Sequence, residues 1–353
     1  MSDSSRPVRV GIVGAGANTR QRHIPGLRDV PGVSIECVAN RTPTSSRRVA
    51  DEFKIPTVHD DWRSVVTSDN VDAVLVGTWP DTHCEITLAA LDAGKHVLCE
   101  ARMARDLAEA RQMQRAAKAA KGQTAMLVPS PFGLEVGPLV SQLVNDHFIG
   151  DLREVVVLGI EDTFWDYTRP IHWRQERAKS GVNTLTLGIL YETARRWMPK
   201  AERVYAQVQT FEPTRPDLDE GEHRDVDVPD SLHVLAELAG GGRANFALSG
   251  AALFGPGKQI QIYGSRGTIV VEFDPEERVL AARADDGELK PVDPPLELTG
   301  GWNVEADFIA AIRGERAVEL TDFATGVDYM EFTEAVARSG QSGQPIELPL
   351  DRE

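Results

Sequence analysis

Gly14 and Gly16 stand one residue apart at the end of the β-branched run VRVGIVGAG, with Ala17 and Asn18 next in the chain. Where a strand gives way to a helix, this spacing has a definite use. The first glycine permits a tight turn, and the second lets backbone approach a pyrophosphate at the positive end of the helix. The third position of such a fingerprint is Thr19, where glycine or alanine is usual. The end of the next apolar run reads Asn40-Arg41-Thr42, with Arg47 and Arg48 one turn further on. An acid there would hold the ribose diol of NAD, but none is present, and a guanidinium suits a 2′-phosphate bidentately. The expected cofactor is therefore NADP(H), favoured over NAD(H).

Such a loop works only if strands and helices present it. From residue 7 to about 128 the two signals take turns: VRVGIVGAG, VSIECVAN, VDAVLVGTWP, KHVLCE and QTAMLV read as strands, with helical spacing between them. Continuous apolar runs of this kind belong to parallel strands buried on both faces, and the alternation predicts a doubly wound sheet with right-handed crossovers. After Pro129 the pattern changes. A helix over about 138–147, the strand LREVVVLGI, a polar aromatic loop and an apolar helix over VNTLTLGILYETARRWM precede strands in close succession. Short turns between them predict an open, mainly antiparallel sheet. The acidic tract from Asp217 to Asp230 reads as a solvated loop, and two helices near 303–313 and 322–338 close the chain. The expected fold class is α/β. A dinucleotide-binding Rossmann-type domain over 1–128 is followed by a substrate-binding and oligomerisation α+β domain over 129–353, with the active site in the crevice between them.

At 353 residues the chain is long enough for two such domains. A net charge of −16 argues against nucleic acid or an anionic membrane as the main partner. No apolar stretch approaches the roughly 20 residues that span a bilayer, and the start of the chain lacks a signal-peptide pattern. Cys37, Cys84 and Cys99 have no CxxC spacing and sit in or beside apolar runs, which predicts reduced core residues in a cytoplasmic protein. Neither a metal-ligand spacing nor a GxSxG nucleophile elbow is present, so no metal is expected.

Several segments in order, VGIVGAGANTRQRHIPGL, VHDDWRSVV, GTWPDTHCEITLAALDAGKHVLCE, HWRQ and GSRGTIVVEF, resemble the Gfo/Idh/MocA family over nearly the whole length. The resemblance implies NAD(P), a sugar-like or polyol substrate oxidised or reduced at carbon, and a homodimer or homotetramer formed through the exposed sheet face. It places Gly14 and Gly16 in the nucleotide loop, Thr78 and Pro80 near the nicotinamide ribose with Trp79 between them, and His83 and Glu100 around the cofactor. His83 has the alternative of packing or capping its helix.

The catalytic positions depart from the family's pattern. Its Glu-Lys-Pro reads Glu100-Ala101-Arg102, and the stretch SGVNTLTLGILYET puts Thr186 at its aspartate and Leu190 at its histidine. Hydride transfer at a carbonyl needs a partner for the proton on oxygen, with a pKa near working pH. Thr186 and Leu190 cannot serve. Arg102 can polarise an oxygen but is too basic for a general base. The candidate proton donors are His172 and Tyr191, with Glu192 and Asp166 nearby. Three readings follow: an NAD(P)-dependent oxidoreductase with replaced catalytic groups, a cofactor-retaining lyase or glycoside-cleaving enzyme, and a non-catalytic dinucleotide- or metabolite-binding protein. For the second, the loop around Trp165-Asp166-Tyr167 and His172-Trp173-Arg174 offers aromatic faces and a carboxylate to a sugar.

Overall fold

The computed structural model describes residues 6–218 and 221–351, in two compact units. One comprises the chain up to Pro129 together with Asn303–Asp328; the other comprises Ser130–Trp302 and the chain from Tyr329 onward. Residues 303–328, which the sequence reading assigns to the second domain, thus group with the first.

In the first unit the elements alternate as β1 (Val8–Val13), α1 (Ile24–Asp29), β2 (Val33–Ala39), α2 (Pro43–Phe53), β3 (Thr57–Val58), α3 (Trp62–Val66), β4 (Ala73–Val76), α4 (Pro80–Asp92), β5 (His96–Cys99), α5 (Leu107–Ala119) and β6 (Ala125–Leu127). The strands form a six-stranded parallel sheet in the order β3-β2-β1-β4-β5-β6. All four residues of β4 are buried, as a strand covered on both faces requires. Side chains start the helices: Thr42 accepts from Ser45 N at α2, Asp61 from Arg63 N at α3, and Asp106 from Glu109 N at α5. Each cap satisfies an amide that the helix itself leaves without an acceptor. The strand order reverses between β1 and β4, which in a doubly wound sheet opens the ligand crevice at the carboxyl ends of the strands.

The second unit begins with α6 (Gly137–Asn145), β7 (Leu152–Ile160), α7 (Arg177–Ser180), α8 (Leu187–Arg195), β8 (Ala201–Gln209), β9 (Thr214–Pro216), β10 (His223–Asp225), β11 (Ser231–Leu238) and β12 (Arg243–Ser249). It continues with β13 (Gly257–Gly264), β14 (Gly267–Glu272), β15 (Arg278–Arg283) and β16 (Lys290–Pro291). Then come α9 (Val304–Ile312), which groups with the first unit, α10 (Phe323–Ser342), within which the division falls, and β17 (Ile346–Glu347). A nine-stranded sheet runs β16-β15-β14-β13-β7-β12-β11-β8-β17, with only the β7–β12 pair parallel. Burial alternates residue by residue along β11, so one face is covered and the other open.

Two expectations change here. The apolar helix is shorter than VNTLTLGILYETARRWM suggests, since Leu185 takes φ 49° and α8 starts only at Leu187. The acidic tract is not simply a solvated loop. β9 and β10 form a ribbon, buried Asp217 pairs with Arg224 at 2.5 Å, and buried Asp230 accepts from Phe211 N at 3.0 Å. Buried carboxylates persist when amides or guanidinium groups meet them, as here. Among the described residues no helix is long and apolar enough to cross a membrane.

Candidate functional site

The turn after β1 is shaped by contact with the turn after β4. Gly14 has φ +85°, and a Cβ there would lie 2.7 Å from Thr78 N and 2.8 Å from the Gly77 carbonyl carbon. A Cβ on Gly77 would stand 2.4 Å from Gly14 O. Both glycines are therefore demanded by two backbones in near contact. Gly16 differs: its nearest neighbour would be Gly77 O at 3.8 Å, so open space faces it, the room a pyrophosphate needs to meet backbone. Gly16 and Ala17 are exposed. Buried Thr19 explains the departure at the third fingerprint position, because its hydroxyl donates to Gly14 O at 3.1 Å and ties the helix start to the turn. That start is a π-helical turn, Thr19–His23.

Beside the loop, Asn40 Oδ1 accepts from Ala15 N at 2.7 Å, so the residue at the end of β2 braces the loop with its own side chain. Arg41 is exposed and its guanidinium lies 5.1 Å from the centroid of the Trp79 ring. Arg47 and Arg48 are also exposed. Trp79 precedes Pro80, the first residue of α4, and Thr82 Oγ1 donates to Thr78 Oγ1 at 2.7 Å.

Under the loop lies a cluster of ionisable groups. Glu100, directly after β5, accepts from Ala101 N at 3.1 Å through one oxygen. Its other oxygen accepts from Asn18 Nδ2 and sits 2.9 Å from His23 Nε2. His23 is fully buried, and its Nδ1 faces Glu305 of α9 at 2.5 Å. Burial alone would lower the pKa of this imidazole, but the bonds and charges of Glu100 and Glu305 outweigh it and lift the value to about 9. Burial likewise opposes ionisation of Glu100, yet His23, Asn18 and His83 hold its pKa below the usual carboxylate range.

His83 is buried inside α4, with Nδ1 at 3.0 Å from Arg102 O and Nε2 at 3.0 Å from Thr78 O. Burial depresses its pKa. Through those contacts it pins the β4–α4 turn to the segment after β5. Arg102 is buried and follows a cis peptide from Ala101.

In the second unit, Thr186 and Leu190 lie one helical turn apart over the same strand residue. A Cβ on Gly159 of β7 would meet Leu190 Cδ1 at 3.1 Å and Thr186 Oγ1 at 3.2 Å. Tyr191 points elsewhere. It is 2% exposed, its ring stacks on Phe332 at 3.8 Å between centroids, and its hydroxyl accepts from Ala201 N at 3.3 Å. A phenol stacked on Phe332 and accepting from a backbone amide packs against the core of this unit. Glu192 is buried as well, accepting from Ser130 N at 2.5 Å and pairing with Arg196 at 2.7 Å.

His172 is held within its own loop. Its Nδ1 accepts from Arg174 N at 3.2 Å, and its ring lies between Phe164 at 6.0 Å and Trp173 at 5.6 Å. Loss of water around the ring, then the Arg174 charge, push its pKa down to about 4. At neutral pH it carries no proton to give from an imidazolium. The loop that precedes it is held from behind: buried Arg215 donates to Asp166 O at 2.6 Å and to Phe164 O. Trp165 and Tyr167 on that loop are 48% and 59% exposed. Thr168 and Arg169 bind the Asp166 carboxylate, which keeps its pKa low.

Sequence reasoning missed Gly77, His23 and Glu305. Gly77 carries a local signal, a glycine at a strand end facing another glycine turn, whereas Glu305 lies 282 residues from His23 and carries none.

The fold and loop together define a nucleotide-dependent oxidoreductase of the Rossmann type. Residues 8–127 match the family description "Oxidoreductase family, NAD-binding Rossmann fold", and residues 139–270 match "GFO/IDH/MocA C-terminal domain". The chain belongs to the Gfo/Idh/MocA oxidoreductase family. Levoglucosan dehydrogenase of Pseudarthrobacter phenanthrenivorans is 25% identical over 265 residues, 70% of this chain and 67% of that protein. An inositol 2-dehydrogenase/D-chiro-inositol 3-dehydrogenase of Halalkalibacterium halodurans is 33% identical over 149 residues, 41% of this chain and 42% of that one. Among solved structures, an oxidoreductase domain protein from Kribbella flavida superposes with a TM-score of 0.87 at 26% identity, covering 98% of this chain and all of that one. Levoglucosan dehydrogenase in complex with NADH and levoglucosan has a TM-score of 0.88 at 21% identity, over 98% of this chain and 100% of that one.

Proposed function

We propose that this protein oxidises a sugar-like or polyol alcohol, or reduces the matching carbonyl, with NADP(H) preferred over NAD(H) and without the family's lysine, aspartate and histidine. The observation that carries this reading is the loop at Gly14–Asn18: open at Gly16, braced by Asn40, and flanked by the Arg41 guanidinium stacked on Trp79. When bound, the nicotinamide supplies or accepts the hydride. Gly16 and Ala17 receive the pyrophosphate, Arg41 the 2′-phosphate, and Thr78, Trp79 and Pro80 line the sugar side of the cofactor, while Asn18 and Glu100 brace the loop beneath. Arg102 polarises the substrate oxygen and stabilises negative charge on it. No titrating side chain stands at positions 101, 186 or 190, and the proposed reaction has the oxygen exchange its proton with solvent. The exposed rings of Trp165 and Tyr167, on a loop that Arg215 holds, suit the C–H faces of a polyol. The dehydrogenases of levoglucosan and inositol among the relatives support that substrate class.

We propose a homodimer or homotetramer built on the open sheet face. A row of facing residues, Tyr205, Leu235, Asn245, Val156 and Gln261, crosses it in register, with Leu235 60% and Tyr205 45% exposed.

Titration with NADPH and NADH, followed by energy transfer from tryptophan, tests the cofactor reading. Tighter binding of NADPH, then turnover of a sugar or polyol with a stoichiometric change in nicotinamide absorbance, is the expected result. Failure to bind either cofactor in either redox state overturns the reading. Binding without turnover across that substrate class leaves the non-catalytic alternative in its place.

A further inference from the structure

His23 takes no part in the chemistry above, yet it is among the most enclosed ionisable groups in the first unit, and its surroundings are built for it. α9 brings Glu305 against one ring nitrogen, and the end of β5 brings Glu100 against the other. Gly26 of α1 makes room for the first of these, because a Cβ there would stand 2.5 Å from Glu305 Oε2. Asn18 Nδ2 donates to the Glu100 oxygen that His23 also meets and lies 3.3 Å from His23 Nε2 itself, and a charge on His83 of α4 would favour ionised Glu100.

A neutral imidazole has one N–H and can serve one carboxylate, whereas the doubly protonated ring carries a charge and a donor for each of the two carboxylates that flank it. We propose that doubly protonated His23, gripping Glu100 and Glu305, is a positioning residue that sets cofactor affinity by holding Asn18 and the loop above it. The chain of contacts is short. Glu305 fixes His23, His23 fixes the Glu100 oxygen, and that oxygen fixes Asn18, two residues beyond Gly16. Loss of the second proton sets a bare ring nitrogen against one buried carboxylate, a costly state that relaxes by movement. That movement releases Asn18. The inference rests on the dinucleotide-binding reading of the loop, and it adds a pH dependence to it.

The test is the dissociation constant of NADPH across pH 6.5 to 10 for the wild-type protein, Glu305→Gln and His23→Gln, with thermal melting to show that each is folded. Wild type is expected to bind evenly to about pH 8 and to weaken roughly tenfold by pH 10. In Glu305→Gln the fall should begin about one pH unit lower, because one of the two charges that favour the imidazolium is gone. His23→Gln should bind roughly tenfold more weakly at pH 7, with no step across the range. Proton-nitrogen spectra of histidine-labelled protein give a readout separate from binding, and His23 should keep both ring protons at pH 7. A flat wild-type profile, or a Glu305→Gln profile with an unmoved step, overturns the inference, as does a singly protonated His23 at pH 7. Should His23→Gln not fold, the Glu305→Gln profile decides alone. Absence of NADPH binding at every pH overturns the cofactor reading with it, whereas pH-independent binding overturns only the inference.

Discussion

Replacing Arg41 with alanine should change which nicotinamide cofactor the protein prefers, and the size of the change follows from where the guanidinium lies. It is exposed, and it stacks 5.1 Å from the Trp79 ring centroid. A charge-assisted bond to phosphate is worth about 1.5–3 kcal/mol, and solvent screening at an exposed site argues for the lower end. Loss of about 1.5 kcal/mol weakens NADPH binding roughly 12-fold. NADH has no 2′-phosphate, so its loss is limited to the cation–π contact that orders Trp79, about 0.5 kcal/mol or roughly twofold. The ratio of the two dissociation constants should therefore move about sixfold toward NADH. Fluorescence titrations of both cofactors in the same buffer, at two salt concentrations, measure it directly. Salt should weaken NADPH more than NADH in the wild type and lose that difference in Arg41→Ala, since exposed charges are screened within about 10 Å at 0.1 M. Equal weakening of both cofactors would show that Arg41 only supports the local fold; no weakening of NADPH would remove it from the site.

Tyr191→Phe should retain most of the wild-type rate and lose about 1 kcal/mol of stability, because its hydroxyl accepts from Ala201 N; collapse of kcat in this variant would make the phenol a proton donor. Glu192→Ala leaves Arg196 and Ser130 N without their buried carboxylate, and should cost about 3 kcal/mol, seen as a melting midpoint roughly 6–12 °C lower. A drop under about 2 °C would contradict the account of that pair. Leu235→Glu should break the proposed assembly, and light scattering after size exclusion would then report a monomer; an unchanged mass points to another face. His23 has a folded pKa raised to about 9, above the usual 6.5, so its stabilisation is complete below about pH 6.5 and is lost as pH rises through 9. Urea melts at pH 6 and pH 10 should differ accordingly, by on the order of 3 kcal/mol, and equal stabilities would mean His23 is not charged in the folded protein.

What could be read from the sequence was local. β4 announces itself because a strand buried on both sides has no polar residue to interrupt it, and β11 because one open face imposes alternation. Gly14 is legible for the same reason, as a backbone position that needs φ +85°. Less is legible where the third dimension decides. Tyr191 lies next to Leu190, and only the phase of α8 on the sheet turns one toward Gly159 and the other onto Phe332. His172 looked like a titrating donor, but rings and a guanidinium drawn from its own neighbourhood suppress its protonation. Arg41 was singled out as a 2′-phosphate ligand, while its stacking partner comes from the turn before α4.

The return of residues 303–328 to the first unit bears on how the protein is made. A ribosome delivers the six strands of the parallel sheet early, but α9 with Glu305 emerges only after eight of the nine strands of the large sheet have been synthesised. Until then buried His23 faces a single carboxylate, and the nascent nucleotide unit waits in an incomplete form. Domains ordinarily fold in the order of their synthesis. In this chain the first to start is not free to finish first, and a fragment cut at residue 129 would lack a piece of its own interior.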